Sequence, residues 1–169
     1  LLPAGKEFNH VLIQWYRDGQ DLITEHSDKT LDINPGTPIV NVTFGGTRVM
    51  TLRTKEKYEN KRGLERRSER VELGDGSMFV LGQATNQKWI HGIRADKTGG
   101  VDERISLTFR SIGTFVRQDL RRIAGLGVEG NNEVAVENDA TAVEALFHMF
   151  STENKSSTKT RSEIYGGGC

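Results

Sequence analysis

Arg104-Ile105-Ser106-Leu107-Thr108-Phe109-Arg110 alternates strictly between polar and apolar residues. Successive side chains of a strand point to opposite faces, so Arg104, Ser106, Thr108 and Arg110 share one face and Ile105, Leu107 and Phe109 the other. The polar face has two readings. It is a solvent face, or it lines a polar cavity inside a barrel. In the second case an arginine fork can clamp a carboxylate through charge-assisted, often bidentate hydrogen bonds. The Cα atoms of Arg104 and Arg110 would be about 20 Å apart at strand rise. Both side chains reach one small ligand only by leaning toward each other, or where the strand bends.

Working outward, the first 113 residues read mainly as strands and turns. Val11-Leu12-Ile13-Gln14-Trp15-Tyr16 is apolar and β-prone, and Ile39-Val40-Asn41-Val42-Thr43-Phe44 follows the turn Asn34-Pro35-Gly36-Thr37-Pro38. Gly45-Gly46, before Val49-Met50-Thr51-Leu52, reads as a two-residue hairpin loop. Gly74-Asp75-Gly76 separates Val71-Glu72-Leu73 from Met78-Phe79-Val80-Leu81 and is another turn. Trp89-Ile90-His91-Gly92-Ile93 comes next. Short strands with turns at this density predict a mainly β fold, a sandwich or jelly roll. Trp15 and Trp89 read as core or cavity-wall residues.

After Gly113 the pattern changes. Ala140, Val143, Leu146, Phe147 and Phe150 fall at helical spacing, with Asn138 or Asp139 available as N-cap. The expectation is an amphipathic helix on the outside of the sheet, closing a single domain over residues 1–150. Residues 151–169, rich in Ser, Thr, Lys and Glu at their start, are expected to form a polar, mobile tail.

Bulk properties narrow the function classes. The chain has 169 residues, enough for one domain with a sizeable core, and carries 23 basic and 23 acidic residues. Net charge zero gives no global pull toward nucleic acid or membrane. The one cysteine, Cys169, excludes an internal disulfide and favours a reducing compartment, nucleus or cytoplasm. No apolar run approaches the roughly 20 residues of a membrane helix. The oligomeric state is left open.

His26-Ser27-Asp28 and the distant His91 supply two imidazoles and a carboxylate. That set can hold one face of an Fe(II) ion and leave the other face open. In a strand, His26 and Asp28 would project to the same side. H-x-D is a weak pattern alone; His91 and the polar face of 104–110 give it weight. Residues 55–70 hold seven Lys/Arg against four Glu. They read as a solvated loop or short helix, or as an arm that contacts phosphates through Lys61, Arg62, Arg66 and Arg67.

Together, Phe8-Asn9-His10-Val11-Leu12-Ile13-Gln14-Trp15-Tyr16-Arg17-Asp18-Gly19, His26-Ser27-Asp28, Gly76-Ser77-Met78, His91 and the 104–110 strand resemble the AlkB family of Fe(II)/2-oxoglutarate dioxygenases, in the family's order from about Phe8 to Ile112. The resemblance implies a double-stranded β-helix (jelly-roll) core. It implies that His26, Asp28 and His91 bind Fe(II). It implies 2-oxoglutarate contacts from Gln14, Tyr16, Arg104, Ser106, Thr108 and Arg110. The implied reaction consumes dioxygen and 2-oxoglutarate and removes a methyl or small alkyl group from a nucleobase nitrogen, so nucleic acid is the implied partner. Three departures from the family pattern stand out. Gln14 and Ser106 replace asparagines, and Lys29-Thr30 stand where base-repair members often carry acidic residues near the base. Lys29 and Thr30 are therefore candidate substrate contacts of altered preference. The family's N-terminal substrate lid would precede Phe8, where at most seven residues stand. Two alternatives remain: the same chemistry on a protein, lipid or small molecule, and a non-catalytic binding module.

Overall fold

The computed structural model describes residues 3–4, 6–116, 122–127, 134–135 and 140–165. Ten strands precede residue 111. They are β1 (His10–Tyr16), β2 (Ile23–His26), β3 (Ile39–Gly45), β4 (Arg48–Thr54), β5 (Tyr58–Asn60), β6 (Gly63–Glu65), β7 (Ser68–Leu73), β8 (Met78–Leu81), β9 (Trp89–Ile93) and β10 (Arg104–Arg110), with a short helix α1 (Gln83–Lys88) between β8 and β9. Eight of them form two four-stranded antiparallel sheets, β1-β10-β3-β8 and β2-β9-β4-β7. The chain crosses repeatedly from one sheet to the other, which is the winding of a double-stranded β-helix. The expected mainly β jelly roll is the observed fold.

That winding corrects one expectation. Gly45-Gly46 does not close a β3–β4 hairpin, because β3 pairs with β10 and β8 while β4 pairs with β9 and β7. The glycines serve a close approach instead. A Cβ on Gly45 or Gly46 would overlap the carbonyl oxygens of Glu103 and Asp102, and Gly45 also has φ +83°. The turn at Gly74-Asp75-Gly76 likewise joins strands of different sheets.

The core lies between the sheets. Tyr16, Met50, Leu52, Leu73 and Ile93 form one buried cluster, and Ile33, Ile39 and Leu81 a second beside it. Burial of each such apolar side chain contributes roughly 1.5–3 kcal/mol. The first sheet inverts the common polarity. Arg104, Ser106 and Thr108 turn inward and are buried, whereas Ile105 on the opposite face is exposed. Its outward cross-strand neighbours Trp15 and Phe44 are exposed too. Trp15, expected in the core or a cavity wall, is 61% exposed, and its Nε1 donates to Glu103 Oε2 at 3.0 Å.

Residues 55–70 also differ from expectation. They form neither loop nor helix but a hairpin, β5 against β6, that leads into β7. After β10 come the small sheet β11 (Thr114–Val116), β12 (Arg122–Gly125) and β13 (Val134–Ala135), then α2 (Ala140–Lys155) and α3 (Arg161–Tyr165). The N-cap candidates Asn138 and Asp139 lie outside the described residues, as does Cys169. The helix is where its periodicity places it, but its apolar stripe is not its docking face. Val143 and Phe147 are exposed, while Glu153 in the last turn is buried. Residues 151–165, assigned by composition to a polar tail, hold the end of α2 and all of α3. Glu153, Asn154 and Arg161 of this stretch engage the 27–31 segment, the first two as acceptors for its donors and the third as donor to the Thr30 and Leu31 carbonyls. Among the described residues no helix is long and apolar enough to cross a membrane.

Candidate active site

His26 ends β2 and His91 stands in β9, and the two residues are direct cross-strand partners. Gly92 makes this pairing possible, since a Cβ there would lie 2.8 Å from the Ile23 carbonyl oxygen and 3.0 Å from the Glu25 nitrogen. The imidazole rings sit 4.6 Å apart. Asp28 follows beyond the end of the β2 ladder. It reaches the same point not by strand alternation but through Asn86 of α1, whose Oδ1 accepts from the Asp28 N–H at 2.8 Å and whose Nδ2 donates to the Asp28 carbonyl at 2.9 Å. A buried side-chain amide thus does for Asp28 what a neighbouring strand would otherwise do.

The two carboxylate oxygens of Asp28 face different ways. Oδ1 lies 3.7 Å from His26 Nε2 and 3.4 Å from His91 Nε2. Oδ2 accepts from Arg110, at 3.0 Å from Nε and 2.5 Å from Nη2. Arg110 therefore leaves one oxygen, together with two imidazole nitrogens, for a cation. Ligand atoms from the three residues all lie within 4.8 Å of one another. On His26, Nδ1 sits 2.7 Å from the Thr24 carbonyl, which takes the Nδ1 proton and leaves Nε2 with a free lone pair. Burial pushes the His26 imidazole below its ordinary value, against the pull of that hydrogen bond, so it is neutral near pH 7. Burial would raise the Asp28 carboxyl, but the His91 bond and the Arg110 charge outweigh it and hold it well below the usual carboxylate range. Two imidazoles and one carboxylate fit an open-faced Fe(II) site.

The same pocket continues to the inner face of the first sheet, where Gln14, Tyr16, Arg104, Ser106, Thr108 and Arg110 all line it. Arg104 is 1% exposed. Its Nη2 donates to Thr43 Oγ1 at 2.9 Å and Asn41 Oδ1 at 3.3 Å, while Nε and Nη1 have no partner. The guanidinium lies over the Tyr16 ring, 5.0 Å from its centroid. A buried cation with two unsatisfied donors facing a pocket calls for an anion. A dicarboxylic acid held between Arg104 and a metal at the His26–Asp28–His91 end would satisfy both ends.

The chain matches the 2OG-Fe(II) oxygenase superfamily over residues 2–110. It is 36% identical over 111 residues to the DNA oxidative demethylase ALKBH2 of Bos taurus, covering 66% of this chain and 40% of that protein. It is 31% identical over 111 residues to the alpha-ketoglutarate-dependent dioxygenase alkB homolog 3 of Rattus norvegicus, covering 64% of this chain and 37% of that protein. A solved structure, OsALKBH1, aligns with TM-score 0.44 and 18% identity over 62% of this chain and 48% of that one. The chain belongs to the 2OG-Fe(II) oxygenase superfamily, within its AlkB family. It spans about two fifths of the length of the curated relatives it matches. The superfamily works with Fe(II) and 2-oxoglutarate, and the ligand triad and the unpaired Arg104 donors of this AlkB-family chain fit both.

The substrate candidates separate into two groups. Lys29 and Thr30 do not line the pocket. The Lys29 ammonium donates to Asn154 Oδ1 at 2.7 Å and to the Phe150 carbonyl at 3.2 Å, and Thr30 bonds to Glu153. Lys61, Arg62, Arg66 and Arg67 are exposed on the β5–β6 hairpin and the turn after it. Sequence reasoning on this AlkB-family chain missed Asn86, Asn41 and Arg48. Asn41 bonds Ser106 Oγ at 2.6 Å and Thr108 Oγ1 at 2.9 Å, fixing the polar face. Its signal was available, because Asn41 and Thr43 alternate with Val40, Val42 and Phe44. Arg48 is buried, donates to the carbonyls of Asp18, Gly19, Asp21 and Arg94, and lies over the Tyr16 ring, 5.7 Å from its centroid. No local pattern marks it.

Proposed function

We propose that the protein is an Fe(II)- and 2-oxoglutarate-dependent dioxygenase that removes methyl or other small alkyl groups from nucleobase nitrogens of DNA or RNA. The observation that carries the reading is one pocket with an open-faced His–Asp–His triad at one end and a buried, under-bonded arginine at the other. With Fe(II) and 2-oxoglutarate bound, such a site supplies dioxygen-driven C–H oxidation coupled to decarboxylation of the cosubstrate to succinate and carbon dioxide. His26, Asp28 and His91 would hold the metal. Arg104 would take the distal carboxylate, with Asn41 and Thr43 fixing its guanidinium. Arg110 keeps Asp28 ionised and restricts it to one oxygen toward the metal. Leu12, Ile23, Ile39 and Met50 give the pocket its apolar lining. The product of hydroxylation at an N-methyl carbon is a hemiaminal, which expels formaldehyde and returns the bare nitrogen.

Nucleic acid as substrate is supported by the relatives named as DNA oxidative demethylases and by the exposed basic hairpin, whose Lys61, Arg62, Arg66 and Arg67 would contact phosphates. Such a substrate would place the protein in the nucleus or cytoplasm. The test is to incubate the protein with Fe(II), 2-oxoglutarate and N-methylated oligonucleotides while following succinate and formaldehyde. Both should appear in step and vanish in His26→Ala. Succinate without formaldehyde would keep the oxygenase and reject the nucleobase substrate; neither product would reject both.

A further inference from the structure

The segment 27–30, which carries Asp28, lies outside every strand ladder, yet three of its backbone N–H groups have side-chain acceptors. The Asp28 N–H goes to Asn86. The Ser27 N–H donates to Asn154 Oδ1 at 3.0 Å, and the Thr30 N–H to Glu153 Oε1 at 3.0 Å. Two of the three acceptors are thus adjacent residues at the end of α2, beyond the part of the chain that matches the superfamily. The contacts are reinforced. The Ser27 hydroxyl also donates to Asn154 Oδ1 at 3.0 Å, and the Thr30 hydroxyl to Glu153 Oε1 at 2.5 Å. Ser27 is fully buried. The helix end is itself pinned: Lys55 donates to the Glu153 carbonyl, and the Tyr165 hydroxyl to Glu153 Oε2 at 2.5 Å.

We propose that Asn154, with Glu153, is a positioning residue for the metal centre: the last turn of α2 sets the backbone on which His26 and Asp28 converge. Groups that orient metal ligands commonly change metal affinity by about 10–100-fold when removed. Asn154 has a distinguishing chemistry. A single oxygen receives the Ser27 N–H, the Ser27 O–H and the Lys29 ammonium, and no bond from its Nδ2 is needed. An aspartate keeps that acceptor, whereas a leucine of similar size does not.

The inference rests on the proposed metal centre, and the experiment keeps the two apart. The dissociation constant for Mn(II) alone, a redox-inert probe, is measured for the full chain by the spin-resonance signal of free Mn(II), with a thermal melt of each variant. The parent should bind and His26→Ala should not; equal binding by both rejects the metal centre itself. Asn154→Leu should bind about tenfold more weakly, and Asn154→Asp should recover most of that loss. Parent-like affinity in Asn154→Leu, or equal loss in Leu and Asp variants, overturns the positioning role. If Asn154→Leu does not melt cooperatively, Asn154→Ser carries the decision through amide hydrogen exchange. Exchange at residues 27–30 should quicken about tenfold while β10 amides are unchanged. Unchanged protection at 27–30 overturns the inference.

Discussion

Arg104→Met should leave the ligand-free protein about as stable as the parent and cripple 2-oxoglutarate binding. The parent buries a guanidinium with two donors unused, and burial already pushes its pKa down. Replacing such groups with an apolar side chain of similar volume gains about 1–4 kcal/mol. Against that stand the bonds to Thr43 and Asn41 and the contact with the Tyr16 ring, about 0.5–1.5 kcal/mol each. The two sides are of similar size, so the ligand-free melting temperature should move by no more than about 2–4 °C in either direction for a chain of this size. The cosubstrate loses its charged partner, at a cost of about 3 kcal/mol or roughly 100-fold in Kd. A thermal-shift series with Mn(II) present reads both effects. At a 2-oxoglutarate concentration of about 100 Kd the parent gains about 2.7 kcal/mol, some 5–11 °C. At the same concentration the variant, now near its own Kd, gains about 0.4 kcal/mol, around 1 °C. A variant that shifts as far as the parent at the same 2-oxoglutarate concentration would refute the assignment of Arg104 as the carboxylate clamp.

Asp28→Asn should weaken Mn(II) binding by about 100-fold or more, as read by titration, because it removes the charge that faces both imidazoles. Gly92→Ala should destabilise the fold by about 1–3 kcal/mol in denaturant melts and also weaken metal binding, since its methyl group would push β2 off β9 and part His26 from His91. Reversing charge at Lys61, Arg62, Arg66 and Arg67 should lower oligonucleotide affinity and flatten its salt dependence by about 0.9 for each phosphate no longer neutralised; an unchanged slope rejects the phosphate arm. Burial lowers the Lys55 ammonium to about 8 from an ordinary 10.5. The unfolded chain then binds more protons between those values, so stability should climb as pH rises from 8 toward 10, and the climb should be absent from Lys55→Met.

The parts of the site legible in the sequence are those governed by the two-residue period of a strand. Arg104, Ser106, Thr108 and Arg110 needed only alternation to be placed on one face, and the choice between solvent and cavity was decided by what faces them: Asn41 and Thr43 on the neighbouring strand, and Tyr16 beneath. Strand identity was readable for the same reason. Strand pairing was not. Gly45-Gly46 carries the signature of a hairpin loop, yet the residues flanking it enter different sheets. The glycines answer to the Asp102 and Glu103 carbonyls, some 57 positions away in the chain. His26 and His91 are cross-strand partners across 65 positions, a fact of topology that no local pattern encodes.

The C-terminal helix shows how far a sound local rule can lead from the tertiary answer. Apolar periodicity placed α2, but burial went to Glu153 rather than to Val143 or Phe147. The reason lies in segment 27–30, which carries Asp28. Chain that leaves a ladder after His26 carries N–H groups that must find acceptors once buried, and a polar helix end supplies them where an apolar stripe could not. A Ser-, Thr- and Glu-rich composition therefore reads as a solvated tail only while its partners are out of sight. Seen beside residues 27–30, the same composition supplies the acceptors that an irregular segment beside the Asp28 carboxylate needs.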